Sequence, residues 1–427
     1  MNKTTAYFPA MIACAVFLTG CFFRPSPPTS EEQAEKVGQF IAEGGYSPAH
    51  SYAIDSIRET WRHDGQAVEI SMLAPTAPGV YPLIIYLPGL GEHADGGRLW
   101  RETWAKAGYA VFSVQPLEIG EALKELGPMQ GMGDDAGLPG PPEDEQGPPG
   151  GNKSMPSKAL RNSELHYLGH EHFSQESLNK RINHLLWAHA QLKLRSTSGK
   201  GLFAAADLSR LIVAGYDLGA QTAAAMIGEK SGADLSQAQD FKPLAAILFS
   251  PSVDMALGQV ATRYKNISIP LLVVTGSEDD DPYGISSPYV RTAIWEYAPL
   301  GNKYLLLLNK GNHQLLAGSN LEHRQEPGSP QESSGKTGPG DAMPRFGGSF
   351  QGGGGGPAGG PPPGGMMGRP PHGGRQDSEQ DFKHIAAVFS VSSAFLDSIG
   401  KSDAVAQSWI SGKPNHWLKK SSNLKMK

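Results

Sequence analysis

The chain predicts an α/β fold with a mostly parallel central sheet and helices on both faces. Two observations carry that expectation. Apolar runs without polar alternation recur at 82–87 (Pro-Leu-Ile-Ile-Tyr-Leu), 109–114, 211–214, 244–249, 271–275 and 304–308, as strands buried on both faces require. Segments with helical spacing lie between them, at 97–107 and along Leu178, Ile182, Leu185, Leu186 and Leu192. Strands alternating with helices close most simply as parallel crossovers.

Taken in order, the 427-residue chain begins with Lys3 and a short apolar core from Ala10 to Leu18, too short to span a bilayer. Leu18-Thr19-Gly20-Cys21 follows and resembles the bacterial lipoprotein signal. That resemblance implies cleavage after residue 20, lipid on Cys21 and a place in the cell envelope. Phe22 rather than aspartate follows the cysteine, which points to the outer membrane. Cleavage would remove Cys14, so no disulfide is expected. Residues 21–47, Pro-led and polar, read as a tether, and 48–427 as the folded domain.

Residues 51–60 and 66–73 read as an antiparallel pair joined by the turn Arg62-His-Asp-Gly65, ahead of the main sheet. Ser177 is the expected cap of the long helix that follows, and a helix over 381–399 is expected to close the fold. Two stretches break the pattern, at about 120–156 and 318–378. They hold much of the 53 Gly and 34 Pro, including Gly352 to Gly356 and Gly359 to Gly365. Too few apolar residues offset the entropy of ordering there, so both are expected to be disordered insertions. Glycine lacks the strict three-residue period of collagen. A net charge of −5 without a basic stripe excludes a nucleic-acid surface.

The stretch Leu211-Ile-Val-Ala-Gly-Tyr-Asp-Leu-Gly-Ala220 carries the chemistry. A buried strand runs through Gly215-Tyr-Asp-Leu-Gly219 into a small-residue helix start, the sequence of a nucleophile elbow. Its glycines permit close backbone packing around a strained central residue. That residue is Asp217, where the pattern usually has Ser.

With Tyr86-Leu-Pro-Gly-Leu-Gly91, Ala107-Gly-Tyr-Ala-Val111 and the elbow in this order, residues 51–318 and the closing helix resemble the α/β-hydrolase superfamily. The nearest branch is the dienelactone hydrolases and the bacterial relatives of platelet-activating-factor acetylhydrolase. The resemblance implies three catalytic residues in the order nucleophile, acid, histidine: Asp217, Asp279 in Thr275-Gly-Ser-Glu-Asp279, and His313 after the last apolar run. Asp280 and Asp281 are neighbours able to take the acid's part. The backbone N–H groups of Leu90 and Leu218 are implied as the oxyanion hole.

Gly-Tyr-Asp-Leu-Gly-Ala also resembles the epoxide-hydrolase elbow, in which an aspartate attacks an sp3 carbon and a histidine-activated water releases the ester. Those enzymes carry a helical cap after the strand following the elbow, and only 250–270 are available here, so no cap domain is expected. Leu218 also stands where a halide-binding Trp belongs. Three readings remain open: a hydrolase of ester-like small substrates, a non-catalytic ligand-binding lipoprotein, and an Asp-nucleophile epoxide or haloalkane hydrolase. No cofactor is expected. His166, His170 and His172 with Glu164 and Glu171 have metal-like spacing but read as solvated, so no metal is expected. Trp100, Trp104 and Trp187 read as core or pocket wall.

Overall fold

A mixed sheet of nine strands runs through the protein, seen in a computed structural model that describes residues 30–126, 158–199, 201–319, 374–412 and 414–427. The strands are β1 (Ile54–His63), β2 (Gln66–Pro75), β3 (Tyr81–Leu87), β4 (Ala110–Pro116), β5 (Ala206–Tyr216), β6 (Ala245–Phe249), β7 (Leu271–Glu278), β8 (Lys303–Asn312) and β9 (Ser422–Met426). Their order across the sheet is β1-β2-β4-β3-β5-β6-β7-β8-β9. The six strands from β4 to β8 are parallel, while β1 and β2 at one edge and β9 at the other pair antiparallel.

The parallel strands alternate their side chains between two apolar cores. Ile84, Tyr86, Ile212, Ala214, Ile247 and Phe249 face one, and Leu83, Ile85, Leu87, Leu211, Val213 and Leu248 face the other. Continuous apolar runs are therefore what both faces need. The helices are α1 (Ser30–Ala42), α2 (Arg98–Lys106), α3 (Leu117–Gly120), α4 (Lys158–His172), α5 (Gln175–Thr197), α6 (Leu218–Met226), α7 (Val260–Arg263), α8 (Ala293–Tyr297), α9 (His313–Leu316), α10 (Gly374–Gly400), α11 (Ala404–Ser411) and α12 (Pro414–Leu418). Trp100 and Trp104 of α2 lie fully buried in the first core with α10. Leu178, Ile182, Leu185 and Leu192 of α5 fill the second with α6. Trp187 stacks on His63, their rings 4.6 Å apart.

Several expectations change. The turn between β1 and β2 is shorter than expected: Arg62 and His63 belong to β1, and only Asp64 and Gly65, both at positive φ, make the turn. The cap of α5 is Ser174 rather than Ser177, whose N–H donates to the Ser174 hydroxyl at 3.2 Å. The 381–399 helix does not end the fold, because α11, α12 and the edge strand β9 follow it. Residues 120–126 and 374–378, assigned to the insertions, belong to a helix end with its following turn and to α10. The signal at 1–20, Cys21 and residues 127–157 and 320–373 lie outside the described residues.

The tether expectation fails for residues 30–47. Val37 and Phe40 of α1 are buried against α10, and the Phe40 ring lies 4.9 Å from that of Trp417. The Trp417 indole N–H donates to the Phe40 carbonyl at 2.8 Å. One buried stripe on a polar helix is enough to dock it. Phe40→Ala should accordingly lower unfolding stability by about 3 kcal/mol. Urea titration monitored by tryptophan fluorescence reads this directly, and an unchanged midpoint would mean that α1 does not dock.

Candidate active site

The sharpest turn in the chain joins β5 to α6. Asp217 occupies it with φ 50° and ψ −112°, a backbone conformation that an L-residue holds only when its surroundings over-determine it. Its neighbours do so. Asp217 N–H donates to the Phe249 carbonyl at 3.0 Å, and its own carbonyl accepts from Gln221 N–H at 3.1 Å. A Cβ on Gly215 would run into the Gly219 carbonyl, and one on Gly219 into the Leu87 carbonyl. The two glycines thus let α6 close onto the end of β3.

Asp217 is 1% exposed. Its Oδ2 lies 3.4 Å from the Leu90 N–H, and the Leu218 N–H at the start of α6 also favours the ionised carboxyl. The other oxygen, Oδ1, lies 3.5 Å from the Ser252 hydroxyl and 3.8 Å from His313 Nε2. Both expected oxyanion donors are therefore directed at the carboxylate of Asp217 itself.

His313 begins α9 at the end of β8. Its Nδ1 is 2.7 Å from Asp279 Oδ1, and opposite an ionised carboxylate we assign the ring proton to Nδ1, which leaves the Nε2 lone pair facing Asp217. The Tyr216 hydroxyl donates to the His313 carbonyl at 3.0 Å. Asp279 is fully buried and also accepts from Thr275 Oγ1 at 2.7 Å. Asp280 is exposed, and Asp281 instead accepts from the N–H groups of Tyr283, Ile285 and Ser286, between 2.7 and 2.8 Å. The structure brings Asp217, His313 and Asp279 together and keeps the other two acids away from the imidazole.

Arg291, which no motif announces, is 0% exposed. Its Nε donates to the Asp279 carbonyl at 3.0 Å and stands 3.4 Å from Asp279 Oδ1, while Nη1 donates to the Ser250 carbonyl at 2.7 Å. This buried cation favours the ionised form of both aspartates, and the balance against burial decides each one. For Asp279 burial pushes the pKa up, but the His313 hydrogen bond, the Arg291 and His313 charges and the Thr275 hydroxyl outweigh it and hold the carboxyl below its ordinary value. For Asp217 burial wins over the pull of His313, Arg291 and the Leu218 N–H, aided by the nearby Asp281, and the pKa rises.

The loop after β3 is also supported by residues that no motif announces. Gln115 Nε2 donates to the carbonyls of Gly89 and Glu92, each at 2.9 Å. The Tyr283 hydroxyl donates to the Leu90 carbonyl at 3.2 Å. Over this loop lies an apolar cluster of Leu90, Ile119, Leu165, Phe173, Leu218 and Tyr283. No cap follows β6, yet the Asp217 end of the sheet is covered, by 117–126 and α4 instead. The same two segments line a depression of about 450 Å³ between Leu126 and Tyr167.

His166 and His170 sit one turn apart on α4 with Nε2 atoms 3.1 Å apart, and His166 Nδ1 is 2.9 Å from the Tyr283 carbonyl. Burial lowers the pKa of His172. Among the described residues no group of three or more His, Cys, Asp or Glu is arranged to hold a metal ion. No protein-family model and no curated protein matches the chain.

The charge arrangement predicts a pH effect. Because the pKa of folded Asp279 lies below its unfolded value, its stabilisation is complete above about pH 4 and fades as pH falls through the folded value. Between pH 6 and pH 3 the wild type should therefore lose more stability than Asp279→Asn, as measured by denaturant midpoints at each pH.

Proposed function

We propose that the chain is a hydrolase of the α/β-hydrolase kind in which the Asp217 carboxylate attacks an sp3 carbon of a small substrate, an epoxide or a haloalkane. The observation that carries this reading is the division of labour between its two oxygens. Oδ2 faces the Leu90 N–H, leaving Oδ1 on the side of His313. In the first step Oδ1 bonds to carbon, and the carbon–oxygen or carbon–halogen bond breaks with its electron pair on the leaving atom. A halide departs as the anion, and an alkoxide takes up a proton from solvent water. In the second step His313 Nε2 removes a proton from a water that adds to the Asp217 carboxyl carbon. The charge then develops on Oδ2, where the Leu90 N–H already points. Collapse breaks the bond from the carboxyl carbon to Oδ1 and returns the proton from His313 to the departing alcohol oxygen, and the new carboxyl group loses the water's second proton to solvent to restore the carboxylate. Asp279 holds the imidazole in the required tautomer and stabilises its cation.

Ester hydrolysis, the leading expectation from sequence, fits these contacts less well. A substrate carbonyl would have to displace Oδ2 from the Leu90 N–H, and carboxylate attack on an ester would give an anhydride. The non-catalytic reading has one observation in its favour: with Oδ2 bonded and the apolar cluster overhead, Asp217 is satisfied without any ligand.

Intact-mass analysis separates these readings. His313→Gln incubated with a panel of epoxides and haloalkanes should gain the mass of one alkyl adduct, mapped by peptide sequencing to Asp217, while the wild type turns over. The covalent reading ends if neither protein is ever modified or active, and the ester reading returns if esters alone are cleaved.

We further propose that lipid on Cys21 holds the protein at the bacterial cell envelope, with small molecules rather than nucleic acid as its substrates. The support is the Leu18-Thr-Gly-Cys21 sequence and the net charge of −5. Cys21→Ala should move the protein from the detergent phase to the aqueous phase in a Triton X-114 partition, and unchanged partitioning would remove the anchor.

A further inference from the structure

The loop that presents the Leu90 N–H is tied back on itself by an acid outside the Asp217–His313–Asp279 group. Glu92 Oε2 accepts from the Gly89 N–H at 2.9 Å, and Glu92 N–H donates to the Gly89 carbonyl at 3.3 Å. Since Gln115 holds the same Gly89 carbonyl at 2.9 Å, both polar groups of Gly89 are fixed. The next N–H along the chain is that of Leu90, 3.4 Å from Asp217 Oδ2. Its direction follows from how the Gly89–Leu90 peptide is turned.

The surroundings leave little freedom. A Cβ on Gly89 would stand 2.7 Å from the Tyr216 ring and 3.3 Å from Asp217 Cβ, so the loop lies directly on the elbow. A Cβ on Gly96 would meet Glu92 Oε2 at 3.0 Å, which shows how closely the chain wraps the carboxylate.

We propose that Glu92 is a positioning residue of the Asp217 site: by accepting the Gly89 N–H, its carboxylate aims the Leu90 N–H at Asp217 Oδ2, and protonating Glu92 weakens that aim. The inference rests on the reading of Asp217 as a nucleophile, because only then does the direction of the Leu90 N–H set a rate.

Its charge state is set within the working pH range. Although part of its surface reaches solvent, the protein around Glu92 raises its pKa to about 7. Burial is the largest cause. The Gly89 N–H and His313 oppose it, and Asp217 and Asp95 add to it. The other titratable groups facing it are Tyr86 beneath the loop, Tyr216 on the elbow and Tyr283 above it, all pushed up by burial and so neutral near pH 7. His93, next in the chain, turns to Glu69 at 2.9 Å. Above pH 7 the carboxylate holds Gly89 and the loop is aimed. As pH falls through 7 the proton removes the charge from that acceptor, and alkyl transfer slows.

The test uses the full chain carrying His313→Gln, so that no imidazole titrates at the site, with 1,2-epoxyhexane as the probe. The rate of adduct formation should fall about tenfold from pH 8 to pH 6, as one group titrating near 7 requires. Adding Glu92→Gln, a neutral acceptor like the protonated acid and one that does not titrate, should flatten that profile near the slow rate seen at pH 6. Glu92→Ala should be slow at every pH with little change in the probe concentration for half-maximal rate. A second readout needs no chemistry: the Gly89 and Leu90 amide resonances of the full chain should titrate near pH 7 and stay fixed in Glu92→Gln. The same pH profile in Glu92→Gln as in its parent, or amides that do not move, would overturn the role of Glu92. If no variant ever forms an adduct, the Asp217 reading fails instead, and the amide titration alone decides whether Glu92 holds the loop.

Discussion

Backbone packs on backbone where α6 meets the end of β3, and the geometry of the whole site descends from that contact. Gly219 lies against the Leu87 carbonyl and Gly215 against the Gly219 carbonyl, each with no room for a methyl group. The contact forces the chain to reverse within one residue, and Asp217 is that residue, held at φ 50°. Its N–H is taken by β6 and its side chain is presented at the C-terminal edge of the sheet, between the loop after β3 and the end of β8. Three neighbouring strands thus share the cost of one strained residue. That sharing is the circumstance under which strain of a few kcal/mol persists in a folded chain.

Arg291 supplies the second constraint. A guanidinium with no exposed surface is tolerated only when its donors are met, and here the carbonyls of Ser250, Pro251 and Asp279 meet them. The same bonds tie the end of β6 to the turn after β7. They set Asp279 and its histidine at a fixed distance from the elbow, and the positive charge steadies the acid that must stay ionised. The two aspartates on either side of His313 have opposite tendencies, because hydrogen bonds and charge outweigh burial at Asp279 and burial outweighs them at Asp217.

Much of this was legible in residues whose neighbours in sequence are also their neighbours in space. Buried parallel strands announce themselves as unbroken apolar runs, and all six from β3 to β8 lie where those runs stand. Asp217, Asp279 and His313 each follow such a run directly, so their place at one edge of the sheet could be inferred from order alone. Arg291, Gln115 and Glu92 could not be found that way. Their partners are backbone carbonyls and N–H groups of distant or irregular segments, which leave no residue pattern behind. The helix α1 was hidden for a different reason: its apolar residues are few, and only the indole of Trp417, hundreds of positions away, makes them a docking face. The edge strand β9 is five residues long and takes its register from β8, which a single short segment cannot reveal.

The acid in the elbow also has a thermodynamic logic under the proposed chemistry. Burial raises the pKa of Asp217 because the ion has lost water that two N–H groups and an imidazole replace only in part. A nucleophile destabilised as an anion gains when attack neutralises it, and forming an alkyl ester moves the charge out of the buried carboxyl onto the leaving atom. The reverse holds for the second step, in which charge returns to Oδ2 and the Leu90 and Leu218 N–H groups become worth most. A loop that aims the Leu90 N–H therefore acts on both steps, holding Oδ2 in place during attack and stabilising its charge during release. Serine in the same seat would leave those donors free for a substrate carbonyl. Aspartate fills them with its own oxygen, and one side chain then supplies both the attacking atom and the oxyanion.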